Sequence, residues 1–313
     1  MSGTSEIYLV LAILSSAMMA IILKVFSREE ENRYAILMGN YLACVVVGFL
    51  SLPEKTLVFH IDAVTLLCSM VGGILFTGGL VCMQTGIRVN GASLTAAFAR
   101  LGLIVPLVMS IVIFREKPGV LQVLGILLVL AAIWIISRDR DEEEKSSVGM
   151  QETGPAQEKK RRGGSSACDS LRRVNLAVLL LTLLACGASD AMAKVYEHVG
   201  DRAKDELYYM CIFLTAFLIT CVLVYMEYRR TGKKVTGRML FAGLAVGIPN
   251  YYSSYLLLKA LVHLPAFIVY PCFSTGAIFV VTIISALLLK ERLNRRKLTG
   301  LVMIMTALVL LNL

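Results

Sequence analysis

Apolar residues in this chain come in nearly continuous stretches, separated by short clusters of charge. A bilayer core about 30 Å thick is crossed by about 20 helical residues at 1.5 Å each. Ten stretches reach that length within a few residues: 7–26, 34–52, 64–87, 92–114, 120–137, 174–196, 207–228, 239–261, 266–289 and 298–313. Between the fifth and sixth lies RDRDEEEKSSVGMQETGPAQEKKRRGGSSACDSLRR, residues 138–173. It is charged, carries Gly and Ser, and has no apolar period, so it reads as a flexible linker. The pattern predicts an all-α membrane protein of ten transmembrane helices, five in residues 1–137 and five in 174–313.

The two sets are related. IFREKPGVLQVLG (113–125) and LLKERLNRRKLTG (288–300) each place a glutamate among basic residues and a glycine nine positions later. An offset of 175 matches Glu116 to Glu291, Gly125 to Gly300, Phe98 to Phe273 and Gly72 to Gly247. Five spans is an odd number, so a second copy enters the bilayer from the opposite face. The expectation is an inverted-topology repeat, as in many secondary transporters. Locally, each glutamate suits the positive end of the helix that follows it, and each glycine lets a neighbouring helix approach.

Composition agrees with a membrane protein. Hydrophobic residues make up 57 %, charged residues 17 %, and the mean hydropathy is +0.74; soluble domains carry about 25 % charged residues. The net charge of +9 lies between apolar runs, which favours lipid headgroups over nucleic acid. Loops after odd-numbered spans, with the adjoining Lys24, hold 23 Lys and Arg and loops after even-numbered spans hold five. The positive-inside rule then places the linker in the cytoplasm and both termini outside. The N-terminal MSGTSE lacks a basic n-region, so the first span is expected to be retained. Seven of eight cysteines fall in apolar runs, and no Cys or His spacing suggests a disulfide framework or a metal. No cofactor is expected.

Polar groups inside the spans are the candidate chemistry, because intramembrane charge is costly. Asp190 is the one carboxylate well inside a span, and Lys194 follows at i+4, within reach of an ion pair. Asp190 reads equally as a protonatable or ammonium-binding group. Arg100, about 12 Å into span 4, either reaches the interface or presents its planar fork to a carboxylate or phosphate. Asp190 is its alternative partner. In span 8, GIPNYYSSY (247–255) combines Pro249 and Gly247, which predicts an interrupted helix beside a cavity. Asn250, Tyr251, Ser254 and Tyr255 are its candidate lining, joined from span 9 by Tyr270 and Ser274.

The closing turns Arg115-Glu116-Lys117 and Lys290-Glu291-Arg292, with YLLLKALVHLPAFIVYPCFSTG (255–276) and AAFARLGLIVPLVMSIVIFREK (96–117), resemble the EamA-like branch of the drug/metabolite transporter superfamily. The resemblance implies a small-molecule substrate and transport in the direction of export. The small four-helix relatives use a glutamate in their first span; this sequence has no carboxylate there. The leading expectation is a secondary transporter of a small polar or amphipathic metabolite, driven by a proton or solute gradient and not an enzyme. A membrane-embedded enzyme is a rival, against which stand three scattered histidines, His60, His198 and His263. A channel or accessory subunit is another.

Overall fold

The computed structural model describes residues 2–26, 33–90, 92–132, 165–288 and seven positions between 299 and 310. Among the described residues every regular element is helical. The helices are α1 (Ser2–Phe26), α2 (Arg33–Ser51), α3 (Ala63–Asn90), α4 (Ala92–Leu101) and α5 (Ile104–Val112). They continue with α6 (Val120–Ala132), α7 (Ser165–Val199), α8 (Asp205–Thr231), α9 (Gly237–Leu261) and α10 (Ala266–Leu288). Among the described residues six stretches, in α1, α2, α3, α7, α8 and α10, are long and apolar enough to cross a membrane, and two shorter apolar helices accompany them. The tenth expected span is described only at scattered positions, among which Ala307 is fully buried. α7 begins at Ser165, inside the expected linker; residues 138–164 lie outside the described residues.

The expectation of a break in span 8 is corrected. α9 runs unbroken through Gly247 and Pro249, and α10 through Pro271. The break falls in the expected fourth span, at Gly102–Leu103. Pro106 explains it. A proline removes the N–H that would reach the carbonyl four residues back and crowds that carbonyl. Here that carbonyl belongs to Gly102, which instead accepts from Val105 N–H at 2.9 Å, a tighter turn.

The packing repeats itself across the two halves. α2 lies on α9 as α8 lies on α3; α1 lies on α9 as α7 lies on α3; α1 lies on α10 as α7 lies on α4 and α5. Each contact thus recurs with the halves exchanged, while α2 and α8 also meet directly.

Small residues set these crossings. A Cβ on Gly102 would stand 2.9 Å from the Leu183 carbonyl oxygen and 3.0 Å from the Gly187 nitrogen; one on Gly187 would strike the Gly102 carbonyl. On the equivalent seam, a Cβ on Gly276 would stand 2.7 Å from the Ile13 side chain. At Gly73 it would meet the Ile212 carbonyl oxygen at 2.7 Å, and at Gly247 the Asn40 carbonyl and Ala43. The pairs Gly73/Gly247, Gly102/Gly276 and Ile13/Gly187 are each 174 apart. The structural partner of Gly247 is therefore Gly73, one residue from the Gly72 expected. Glu291 and Gly300 lie outside the described residues.

Replacing Gly187 by Val is expected to lower stability by about 1–3 kcal/mol through overpacking. At Gly78 a Cβ would meet only open space, so Gly78→Ala should be tolerated and gain up to ~1 kcal/mol of helix propensity. Thermal melting in detergent checks both; equal midpoints for the two variants would remove the crossing from the account.

Candidate functional site

α7, α8, α3 and α9 converge on a cavity of about 50 Å³. That is room for a few waters and short of a metabolite's volume. Ser189, Asp190, Met192 and Ala193 reach it from α7, Tyr208, Tyr209, Ile212 and Phe213 from α8, Gly72 and Phe76 from α3, and Ser254 and Leu257 from α9. Asp190 keeps solvent-accessible surface here. Arg100, on α4, lies close enough for its charge to act on Asp190 and on Cys186. In the structural register Asp190 stands opposite Ser16 and Arg100 opposite Ser274, both serines being buried. The carboxylate missing from the first span is thus present in that span's twin, and the charged seam α4–α7 has a neutral counterpart in α1–α10.

The walls are aromatic. Tyr41, Phe76 and Phe213 form a three-ring cluster with centroids 5.8–6.2 Å apart. Tyr209 meets Phe213 at 6.2 Å, and Tyr196 stacks on Tyr208 at 3.7 Å. Two hydroxyls bind backbone of α7: Tyr270 donates to the Asp190 carbonyl at 2.7 Å and Tyr208 to the Met192 carbonyl at 3.2 Å.

The sequence candidates divide. Ser254 and Asp190 line the cavity, and Tyr270 holds Asp190's backbone. Tyr251 is fully buried, stacked on Tyr255 at 6.0 Å and tilted against Phe213 at 6.1 Å. Asn250 donates to Asn40 Oδ1 at 3.2 Å, which ties α9 to α2. Ser274 is buried in α10. Lys194 does not reach back to Asp190 as its spacing suggests; it pairs with Glu116 at 3.1 Å and Glu197 at 3.0 Å.

Those pairs belong to a polar layer at one end of the bundle, one helical turn beyond Asp190. Arg115 adopts φ 54°, a left-handed turn that carries Glu116 back over α5. Glu116 accepts from the Ser110 hydroxyl, from Ala266 N–H at 3.0 Å, and from Lys194. Its carboxylate therefore caps α10, in the other half of the chain, rather than the helix that follows it in sequence. Nearby, Lys204 pairs with Asp62 at 2.8 Å, Lys259 with Asp205 at 2.8 Å, and Tyr255 donates to Glu206. Asp62 also caps α3, accepting from Thr65 N–H at 2.9 Å. Apart from Tyr255, which lies inside the eighth expected span, these groups lie on or beside loops after the second, fourth, sixth and eighth expected spans.

The sequence profile of the EamA-like transporter family matches residues 3–138 and again 176–313. The chain belongs to that family. Its members are membrane transporters of the drug/metabolite class, and the two matches mark two copies of one unit. One solved crystal structure, described only as "Crystal structure of protein", superposes with a TM-score of 0.71 over 99 % of this chain and 98 % of that one, at 11 % identity. At that identity the likeness carries the fold alone and no substrate. No curated protein matches the sequence.

Sequence reasoning passed over α8. Tyr208, Tyr209 and Phe213 build much of the cavity wall; the signal for them was Tyr208-Tyr209 at the head of an apolar run, with Phe213 one turn on. It also missed that Glu116 and Lys194, far apart in sequence, meet.

The Lys204 ammonium and Thr65 N–H beside Asp62 hold its carboxyl well below the usual carboxylate range. Such a group adds stability that is complete above its unfolded value of about 4 and is lost as pH falls through the lower folded value. Asp62→Asn should therefore melt below the parent at pH 7, with the gap shrinking below about pH 4. A gap constant with pH in paired melting curves would contradict this.

Proposed function

We propose that the chain is a secondary transporter, an exporter, that carries a small polar or amphipathic solute by alternating access between two inverted five-helix repeats. Ten spans, with 1–137 and 174–313 as the repeats and 138–173 as a cytoplasmic linker, complete the reading; both termini face outward. The carrying observation is the exchange-related packing of the halves around a cavity to which both contribute. Two like units lying head to tail give nearly equivalent inward-open and outward-open arrangements, which is the use of such symmetry. The polar layer closes the end that bears the even-numbered loops, so this arrangement is shut toward that face.

The charged seam supports a zwitterionic or anionic solute. Arg100 offers a bidentate fork to a carboxylate or phosphate, and Asp190 takes an ammonium or a proton. Ser254, Tyr255, Tyr251 and Tyr270 supply hydroxyls and ring faces, with Asn250 and Ser274 at the flanks. Proton or solute counter-gradient coupling would pass through Asp190. An enzyme or a pore is the weaker reading, since neither needs halves that exchange contacts.

Proteoliposomes separate these readings. A carrier gives saturable flux and counterflow; flux linear in concentration would indicate a pore. Arg100→Lys is expected to cut transport efficiency by roughly tenfold or more while insertion is unchanged. Single cysteines at positions 117 and 292 should label from opposite faces of the membrane, and labelling from one face would overturn the inverted arrangement.

A further inference from the structure

We infer that Glu116 and Lys194 form the latch that keeps the face opposite the linker closed, with Glu197 as the partner that receives Lys194 when the halves part. This deepens the transport reading above and rests on it. Lys194 has a side chain only 8 % exposed and stands between two carboxylates. One, Glu197, is on its own helix; the other, Glu116, belongs to the first half. Breaking a buried ion pair is costly chiefly because it strands a charge. Here neither charge is stranded. Lys194 keeps Glu197, itself held by Arg202 at 3.4 Å, and Glu116 keeps the Ser110 hydroxyl of its own half. The pair can therefore separate and re-form at modest cost, as a two-state element requires.

Other members of the layer are placed differently. Lys259–Asp205 and Tyr255–Glu206 join α9 to α8 within the second half, so they need not change when the halves move. Lys204–Asp62 does cross between halves, but Asp62 is 36 % exposed and the pair is screened by water. Glu116–Lys194 crosses at lower exposure, roofed by Phe114, whose ring lies 5.6 Å from Lys194 Nζ and 4.9 Å from the His198 ring. The same Glu116 carboxylate holds the N-terminus of α10. One acidic side chain thus fastens α5 to both α7 and α10.

The test uses the full chain in sealed vesicles, with Ser254→Cys in the cavity wall as reporter and a membrane-impermeant maleimide added from either face. The chain without that cysteine gives the baseline from native thiols. Glu116→Gln keeps an acceptor for Ser110 and Ala266 while removing the charge; Lys194→Gln breaks the pair from the other end. Each is expected to raise labelling from the face opposite the linker by roughly tenfold, and the double variant by no more than either alone. Labelling from the linker face should not rise. Rates equal to the parent's, additive effects, or a rise from both faces would overturn the latch. If Glu116→Gln fails to insert, Lys194→Gln alone against the parent decides. Counterflow read in parallel on vesicles that carry the chain with Ser254 intact keeps the two ideas apart: flux without a labelling change sinks the latch only, and a labelling change without any saturable flux sinks the transport reading.

Discussion

Helices inside a bilayer gain nothing by hiding apolar side chains from one another, because lipid is as apolar as they are. Close backbone approach and inward-turned polar groups must hold them instead. This chain meets that constraint at Gly102–Gly187, Gly39–Gly243 and Gly73–Ile212, where no side chain intervenes between backbones. Exposed Leu, Ile and Val on α1, α3 and α8 face outward, while Asn40, Asn250, Ser253 and Thr275 are buried. α9 shows the rule most plainly. It packs against both α1 and α2 and carries Asn250, Ser253 and Ser254 in its middle, so its polarity is used inside the bundle.

Repetition of the crossings does not extend to their chemistry. The seam between α4 and α7 and the seam between α1 and α10 are related by the same register, yet one holds Arg100 and Asp190 and the other Ser274 and Ser16. Close approach is kept in both copies, at Gly102–Gly187 and at Gly276–Ile13. The family match covers both copies, whereas the charged pair belongs to a single seam.

Much of the fold was legible because hydropathy and charge are imposed residue by residue by the lipid. Span edges and the two-copy organisation follow from that; Gly102, Gly187 and Gly243, at the crossings, were not among the glycines singled out in the sequence. The readings that went astray depended on contacts between distant segments. Proline alone did not tell Pro106 from Pro249. Pro106 opens a turn at Gly102, where backbone crossing is tight, while α9 stays continuous through Pro249 under the cover of α1 and α2. The offset of 175, fixed on the loop motifs, becomes 174 within the spans because one residue is gained or lost between them. Asp190 and Lys194 have the spacing of an ion pair on one helix, but Lys194 finds Glu116 across the interface, which no spacing rule reports.

α7 connects these levels. Gly187, Asp190, Lys194 and Glu197 follow one another at three- and four-residue steps, so they lie along one face of a single helix. Gly187 sets the approach to α4, Asp190 reaches the cavity, and Lys194 holds Glu116 one turn further on. About 6 Å of helix separates Asp190 from Lys194. A tilt of α7 about the Gly102–Gly187 contact, where backbones already touch and little can slide, moves the cavity wall and the polar layer together. On the transport reading proposed above, a solute beside Asp190 would act on the Lys194–Glu116 contact through a rigid turn of helix, without a longer chain of intermediates.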